Sequence, residues 1–168
     1  MNYVLDSNVL LRMAQDTHPM HAAATQATTT LIRQGDTVHI IPQNLYEFWS
    51  VATREIKYNG LGLSVGDAQN ELARLRSLFS YLPDTPAVCS QWERLIVQYT
   101  VIGRDSHDTR IVAAMNVHGV THLLAFNKDD FRRYTNIVAV SPEEVIAAQP
   151  SAPAAKQPTA TEADEEIK

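Results

Sequence analysis

Cysteine is nearly absent from this chain. Cys89 stands alone, which excludes an internal disulfide framework and any zinc site built from several cysteines. No apolar stretch reaches the ~20 residues that a membrane-spanning helix needs. The N-terminus has no basic segment leading into a long apolar region, so no secretory signal is expected and the cytoplasm is the expected compartment. No internal repeat is visible. Basic residues are not in excess either: 14 Lys and Arg stand against 19 Asp and Glu, a formal net charge of −5. That balance argues against a broad basic face for nucleic acid. Part of the acidity lies in the last stretch, AAQPSAPAAKQPTATEADEEIK (147–168), which carries four acids and two lysines, so the body sums to −3. Rich in Ala, Pro and Thr and without apolar period, that stretch has the composition of a disordered tail. The expected organisation is one domain over 1–147, long enough for a sizeable core, and a tail over 148–168. Four body carboxylates neutralised by metal would leave a sum of +1, so the acidity does not exclude a phosphate-bearing substrate.

What the sequence does contain is short apolar runs alternating with helical periods. YVL (3–5), VHIIP (38–42), THLLAF (121–126) and IVAVSP (137–142) read as strands. Between them, helices are expected at 7–15, 18–34, 43–56, 64–82, 87–101 and 106–119, with a short one at 142–148. Ser7 or Asn8 is expected to cap the first helix, and Gly35 and Gly119 to end the helices before them. KDDFRRY (128–134) is a polar turn or short helix. The alternation predicts an α/β fold with a mainly parallel sheet.

In such a sheet, ligands bind at the carboxyl ends of the strands. Asp6 ends the first strand. Asn127, Asp129 and Asp130 follow THLLAF, Glu47 lies in the first turns of the helix after VHIIP, and Asp108 opens the helix at 106–119. Each has an ordinary alternative role: Asp6 and Asp108 as helix N-caps, Glu47 as a solvated helix residue, the rest as turn residues. Coincidence at one sheet edge gives the acids a joint reading. Crowded carboxylates repel unless a cation neutralises them, and an all-oxygen set suits Mg²⁺ or Mn²⁺ better than zinc. A metal-activated water attacking phosphorus is the chemistry implied.

The segments VLDSNVLL (4–11), IPQNLYEFWSVATR (41–54), HDTRIVAAMNVHGVTHLLAFNKDDF (107–131) and IVAVSPEEV (137–145), in that order, make the chain resemble the PIN-domain ribonucleases, and among them the VapC-type toxins of bacterial toxin–antitoxin pairs. The resemblance runs from residue 1 to about 147. It implies a three-layer α/β/α fold with a central, mainly parallel sheet, and a Mg²⁺- or Mn²⁺-dependent endoribonuclease acting on RNA. Asp6, Glu47 and Asp108 match the family's first three acidic positions, which bind metal. Asp130 is the expected fourth acid, with Asp129 as its alternative, because Asn127 stands where several relatives carry Asp. Ser7, Asn8 and Asn127 are expected to hydrogen-bond the metal ligands or phosphate. His107 is a candidate for substrate contact, and Arg104, Arg110, Arg132 and Arg133 for phosphate contact. The resemblance also implies a cognate antitoxin that blocks the acidic groove, and a homodimer.

Two other readings compete. One is a catalytically inactive PIN-like module that holds RNA or a protein, which the presence of all four acids disfavours. The other is a haloacid-dehalogenase-type phosphatase, whose pattern needs Asp-x-Asp after the first strand. Asn8 occupies that second acidic position here.

Overall fold

The computed structural model describes residues 1–148; the expected tail beyond Ala148 lies outside the described residues. In chain order the elements are β1 (Asn2–Leu5), α1 (Ser7–Met13), α2 (His21–Arg33), β2 (Thr37–Ile40), α3 (Pro42–Ala52), α4 (Val65–Leu78), β3 (Ser80–Tyr81), α5 (Pro86–Gln98), α6 (Asp105–His118), β4 (His122–Leu124), β5 (Val138–Val140) and α7 (Pro142–Ala147). Short 3-10 turns occupy Ile56–Tyr58 and Lys128–Phe131. Among the described residues no helix is long and apolar enough to cross a membrane.

The strands form one parallel sheet in the order β3-β2-β1-β4-β5. Side-chain alternation along each strand sorts the core into two halves. Tyr3 and Leu5 face one way with Val38, Ile40 and Leu124, under α1 to α4 and α7. Val4 and Leu123 face the other way, under α5 and α6. The result is the expected three-layer α/β/α arrangement, with the central strands buried on both sides.

The strand order fixes where a site can form. From β1 the sheet grows outward through β2 to β3; α5 and α6 then return the chain across the sheet to β4, on the other side of β1. The direction of growth therefore reverses between β1 and β4, and the connections leaving their carboxyl ends turn to opposite faces of the sheet, opening a crevice.

Several boundaries differ from expectation. The helix expected over 64–82 stops at Leu78. Phe79 turns extended (φ −123, ψ 148), and Ser80 and Tyr81 pair with His39 and Ile40 as an edge strand. A two-residue strand has no period to read, and Phe79 continues the apolar spacing because it too is buried. The helix expected to reach residue 56 ends at Ala52. Its last carbonyls are capped from the loop that follows: Leu61, Gly62 and Leu63 N–H donate to Val51, Arg54 and Ala52 carbonyls at 2.9, 2.8 and 2.9 Å. Gly60 permits this fold-back, since a β-carbon there would lie 2.0 Å from the Arg54 carbonyl oxygen. The cap of α1 is Asp6, not Ser7 or Asn8; its carboxylate accepts from Asn8 N–H at 3.4 Å.

Asn44 ties these elements together behind the crevice. It is fully buried. Its Oδ1 accepts from Ile41 N–H at 2.8 Å, while its Nδ2 donates to the Leu5 carbonyl at 3.0 Å and the Ser7 hydroxyl at 3.2 Å. One amide thus caps α3 and holds it against the end of β1. Asn44→Ala leaves a buried donor and a buried acceptor unpaired, each costing about 1–3 kcal/mol. Urea unfolding should show a loss of at least about 2 kcal/mol; an unchanged midpoint would contradict this role.

Candidate active site

Asp6 leaves β1 in register with the sheet, its N–H donating to the Leu124 carbonyl at 2.9 Å. The ladder therefore carries the carboxylate to the mouth of the crevice while leaving it only 7% exposed. Glu47 reaches the same cleft from α3, Asp105 and Asp108 from the first turn of α6, and Asp130 from the 3-10 turn after β4. α6 begins after Arg104, which makes no side-chain capping bond, and Asp108 lies inside the first turn, so it is not the helix cap that its position suggested; its side chain faces the cleft instead.

The acids perturb one another. Burial raises the Asp6 pKa to about 7, reinforced by the negative charges of Asp108 and Glu47; the N–H groups of Asn8 and Ser7 pull it the other way. Asp108 is raised to about 6, first by burial and then by Asp130, Asp105 and Glu47. Two carboxyls near neutrality in one cleft are a specific electrostatic feature, because charge cannot accumulate there without a counter-ion.

Neutral donors hold the other two acids. Glu47 Oε2 accepts from the Ser7 hydroxyl at 2.5 Å, and Oε1 accepts from Gln43 Nε2 at 2.8 Å. His107 Nδ1 stands 3.8 Å from Glu47 Oε1. Asp130 accepts from Asn127 Nδ2, and Asn127 Oδ1 accepts from Asn8 Nδ2. That chain of amides spans the crevice from α1 to the turn after β4. Asp129, the alternative fourth acid, does not line the cleft; it is exposed and pairs with Arg132 at 2.9 Å.

The arginines divide. Arg104 lines the cleft and has no carboxylate partner among the described residues, and Arg54, which the sequence reading passed over, is the same. Arg133 is engaged by Asp105 at 2.6 Å. Arg110 does not line the cleft. It lies behind α3, where Nη2 donates to Asp84 at 2.6 Å and Nη1 to Gln43 Oε1 at 3.3 Å. Asp105, Gln43 and Asn44 were missed as well. Gln43 precedes Glu47 by four positions, so the two share a helix face, and that spacing was the available signal.

The donor set is hard oxygen, as Mg²⁺ and Mn²⁺ prefer. Among the described residues no three carboxylate, histidine or cysteine groups close into a ready-made metal cage. Magnesium does not require one, since it is commonly held by one or two carboxylates, keeping its waters and taking substrate oxygens. Asn8 Oδ1 is buried without a hydrogen-bond partner among the described residues, two positions from Asp6, and is an acceptor that an ordered water would satisfy. The residues present therefore fit a hydrated divalent ion.

A raised carboxyl pKa makes the folded state bind its proton more tightly than the unfolded chain. The Asp6 penalty is absent below about pH 4, grows as pH rises, and is complete above about pH 7. From 3.8 to about 7, it reaches on the order of 4 kcal/mol. In chelator, Asp6→Asn keeps the helix cap and should be more stable than wild type at pH 8 by roughly 2–4 kcal/mol. The two should converge near pH 4. Urea titrations at both pH values measure this, and equal stability at pH 8 would contradict the burial of a charged Asp6.

The family model of the PIN domain matches residues 3–137. No curated protein matches the chain by sequence. Among solved structures, it is similar to VapBC2 from Rickettsia felis bound to a DNA fragment from the promoter (16% identity, TM-score 0.64, 84% of this chain and 98% of that one). It is likewise similar to VapBC-1 from nontypeable Haemophilus influenzae (14% identity, TM-score 0.64, 85% and 99%). A third similar structure is VapC20 from Mycobacterium tuberculosis, described as a sarcin–ricin loop cleaving toxin (16% identity, TM-score 0.58, 77% and 92%). With its sheet order, its crevice of acids and a family match over most of its length, this chain belongs to the PIN domain family.

Proposed function

We propose that the chain is a Mg²⁺- or Mn²⁺-dependent endoribonuclease and the toxin of a type II toxin–antitoxin pair. The observation that carries this reading is the convergence of Asp6, Glu47, Asp108 and Asp130 on one cleft, with two of the four held near neutral pKa. The solved structures in this fold include VapBC complexes and a sarcin–ricin loop cleaving toxin, which supports the choice of RNA as substrate and of an antitoxin as partner. A homodimer in the cytoplasm completes the reading.

Asp6, Glu47 and Asp108 would hold the ion, directly or through its waters. When bound, a divalent ion supplies a nucleophilic water at neutral pH and stabilises charge on the departing oxygen. Glu47, fixed through Ser7 and Gln43, presents a carboxylate of set orientation opposite Asp108. Asp130 takes its position from Asn127. Arg104 and Arg54 at the rim offer guanidinium forks to the phosphates flanking the cut, and His107, exposed beside Glu47, is placed to meet the same strand.

Purified wild type incubated with RNA should cleave it with Mg²⁺ or Mn²⁺ and stop on chelation. Asp6→Asn and Asp108→Asn should each reduce cleavage by more than about 100-fold, because removal of a direct ligand should exceed the roughly 10–100-fold typical of supporting residues. Wild-type rates in both folded variants, or cleavage indifferent to chelator, would overturn the reading.

A further inference from the structure

We propose that Gln43 is a positioning residue for the metal site, with Arg110 and Asp84 fixing the orientation of its amide. The inference rests on the metal-dependent nuclease reading above. Gln43 is 1% exposed, so an unmatched amide there would be costly. Every one of its polar positions is matched. Nε2 has two hydrogens, and it donates to Glu47 Oε1 at 2.8 Å and to the His107 carbonyl at 2.9 Å. Oε1 accepts from Arg110 Nη1 at 3.3 Å.

The chemistry of the neighbours allows only one orientation. A guanidinium can only donate, so the amide oxygen must face Arg110. A carboxylate and a carbonyl can only accept, so the nitrogen must face Glu47 and His107. Rotating the amide by half a turn would set oxygen against two oxygens and nitrogen against a cation. Arg110 is itself anchored by Asp84 at 2.6 Å, and its guanidinium lies 5.9 Å from the centre of the Tyr46 ring. The order of fixation therefore runs from Asp84 to Arg110 to Gln43 to Glu47.

The same amide links two helices. Glu47 is on α3, and the His107 carbonyl belongs to α6 one residue before Asp108. Gln43 thus sets the spacing between two acids that approach the cleft from opposite sides. Supporting partners of this kind orient metal ligands, and their loss typically costs metal affinity or activity. Arg110, which sequence position suggested for phosphate contact, serves the site from behind instead.

The test uses Gln43→Met, which keeps length and helix preference without the amide, together with Arg110→Met and the double variant. Mn²⁺ affinity is measured by calorimetry, RNA cleavage across a Mn²⁺ titration, and folding by circular dichroism melts. Gln43→Met should weaken Mn²⁺ binding roughly 10–100-fold, with cleavage returning close to the wild-type rate at saturating Mn²⁺. Arg110→Met should shift affinity in the same direction by less. The double variant should bind no worse than Gln43→Met alone, because Arg110 acts through Gln43 and the two losses cannot add. Wild-type Mn²⁺ affinity in folded Gln43→Met, or additive losses in the double variant, overturns the positioning role while wild type still binds and cuts. Wild type that takes up no Mn²⁺ and cuts no RNA overturns the nuclease reading, and the positioning role with it.

Discussion

The site depends on the cost of placing carboxylates where water cannot fully solvate them. Asp6 is delivered by the strand ladder into the mouth of the crevice and is buried there. Asp108 is brought to the same cleft by α6; its charge raises the affinity of Asp6 for a proton, while burial and the charges of Asp130, Asp105 and Glu47 raise its own. No arginine forms an ion pair with Asp6 or Asp108 among the described residues: Arg110 is engaged behind the site by Asp84, Arg133 pairs with Asp105, and Arg104 and Arg54 line the cleft without a carboxylate partner. Leaving Asp6 and Asp108 without an ion pair keeps their negative charge available to an external cation. A fold optimised only for stability would have neutralised or replaced these groups.

The surrounding architecture supports this conflict with uncharged donors. Asn44 fixes α3 to the end of β1, Ser7 and Gln43 orient Glu47, and Asn8 and Asn127 carry a hydrogen-bond chain to Asp130. Amides and hydroxyls suit this work because they orient a carboxylate without cancelling its charge. The loop at Leu61–Leu63 serves a related end, closing the C-terminus of α3 so that Arg54 sits at the rim on a fixed backbone.

Much of this was legible in the sequence, and the reasons differ by element. The strands β1, β2 and β4 are largely buried apolar runs ended by polar residues, β5 is a partly exposed apolar run at the sheet edge, and the long helices carry apolar residues at helical spacing. The acids Asp6, Glu47 and Asp108 could be placed at one edge because strand–helix alternation dictates which loops meet there. β3 was not legible, because its two residues derive their conformation from pairing with β2. Nor was the fate of Arg110, since nearness to Asp108 along the chain does not reveal that Arg110 faces the opposite side of α6, toward Asp84. Gln43 and Asn44 are typical surface residues by composition. Only tertiary contact with the His107 and Leu5 carbonyls makes them interior ones.

The switch of sheet direction between β1 and β4 also has a temporal side. The cleft draws on residues from position 6 to position 130, and the strand that brings Asp130 into place can join the sheet only after α5 and α6 have been made. Asp6 and Glu47 come from the first third of the described residues, whereas Asp108 and Asp130 come from the last third, so the four acids can be gathered only when both ends of the domain are present. The wound topology thereby makes the complete charged pocket depend on nearly the full length of the domain.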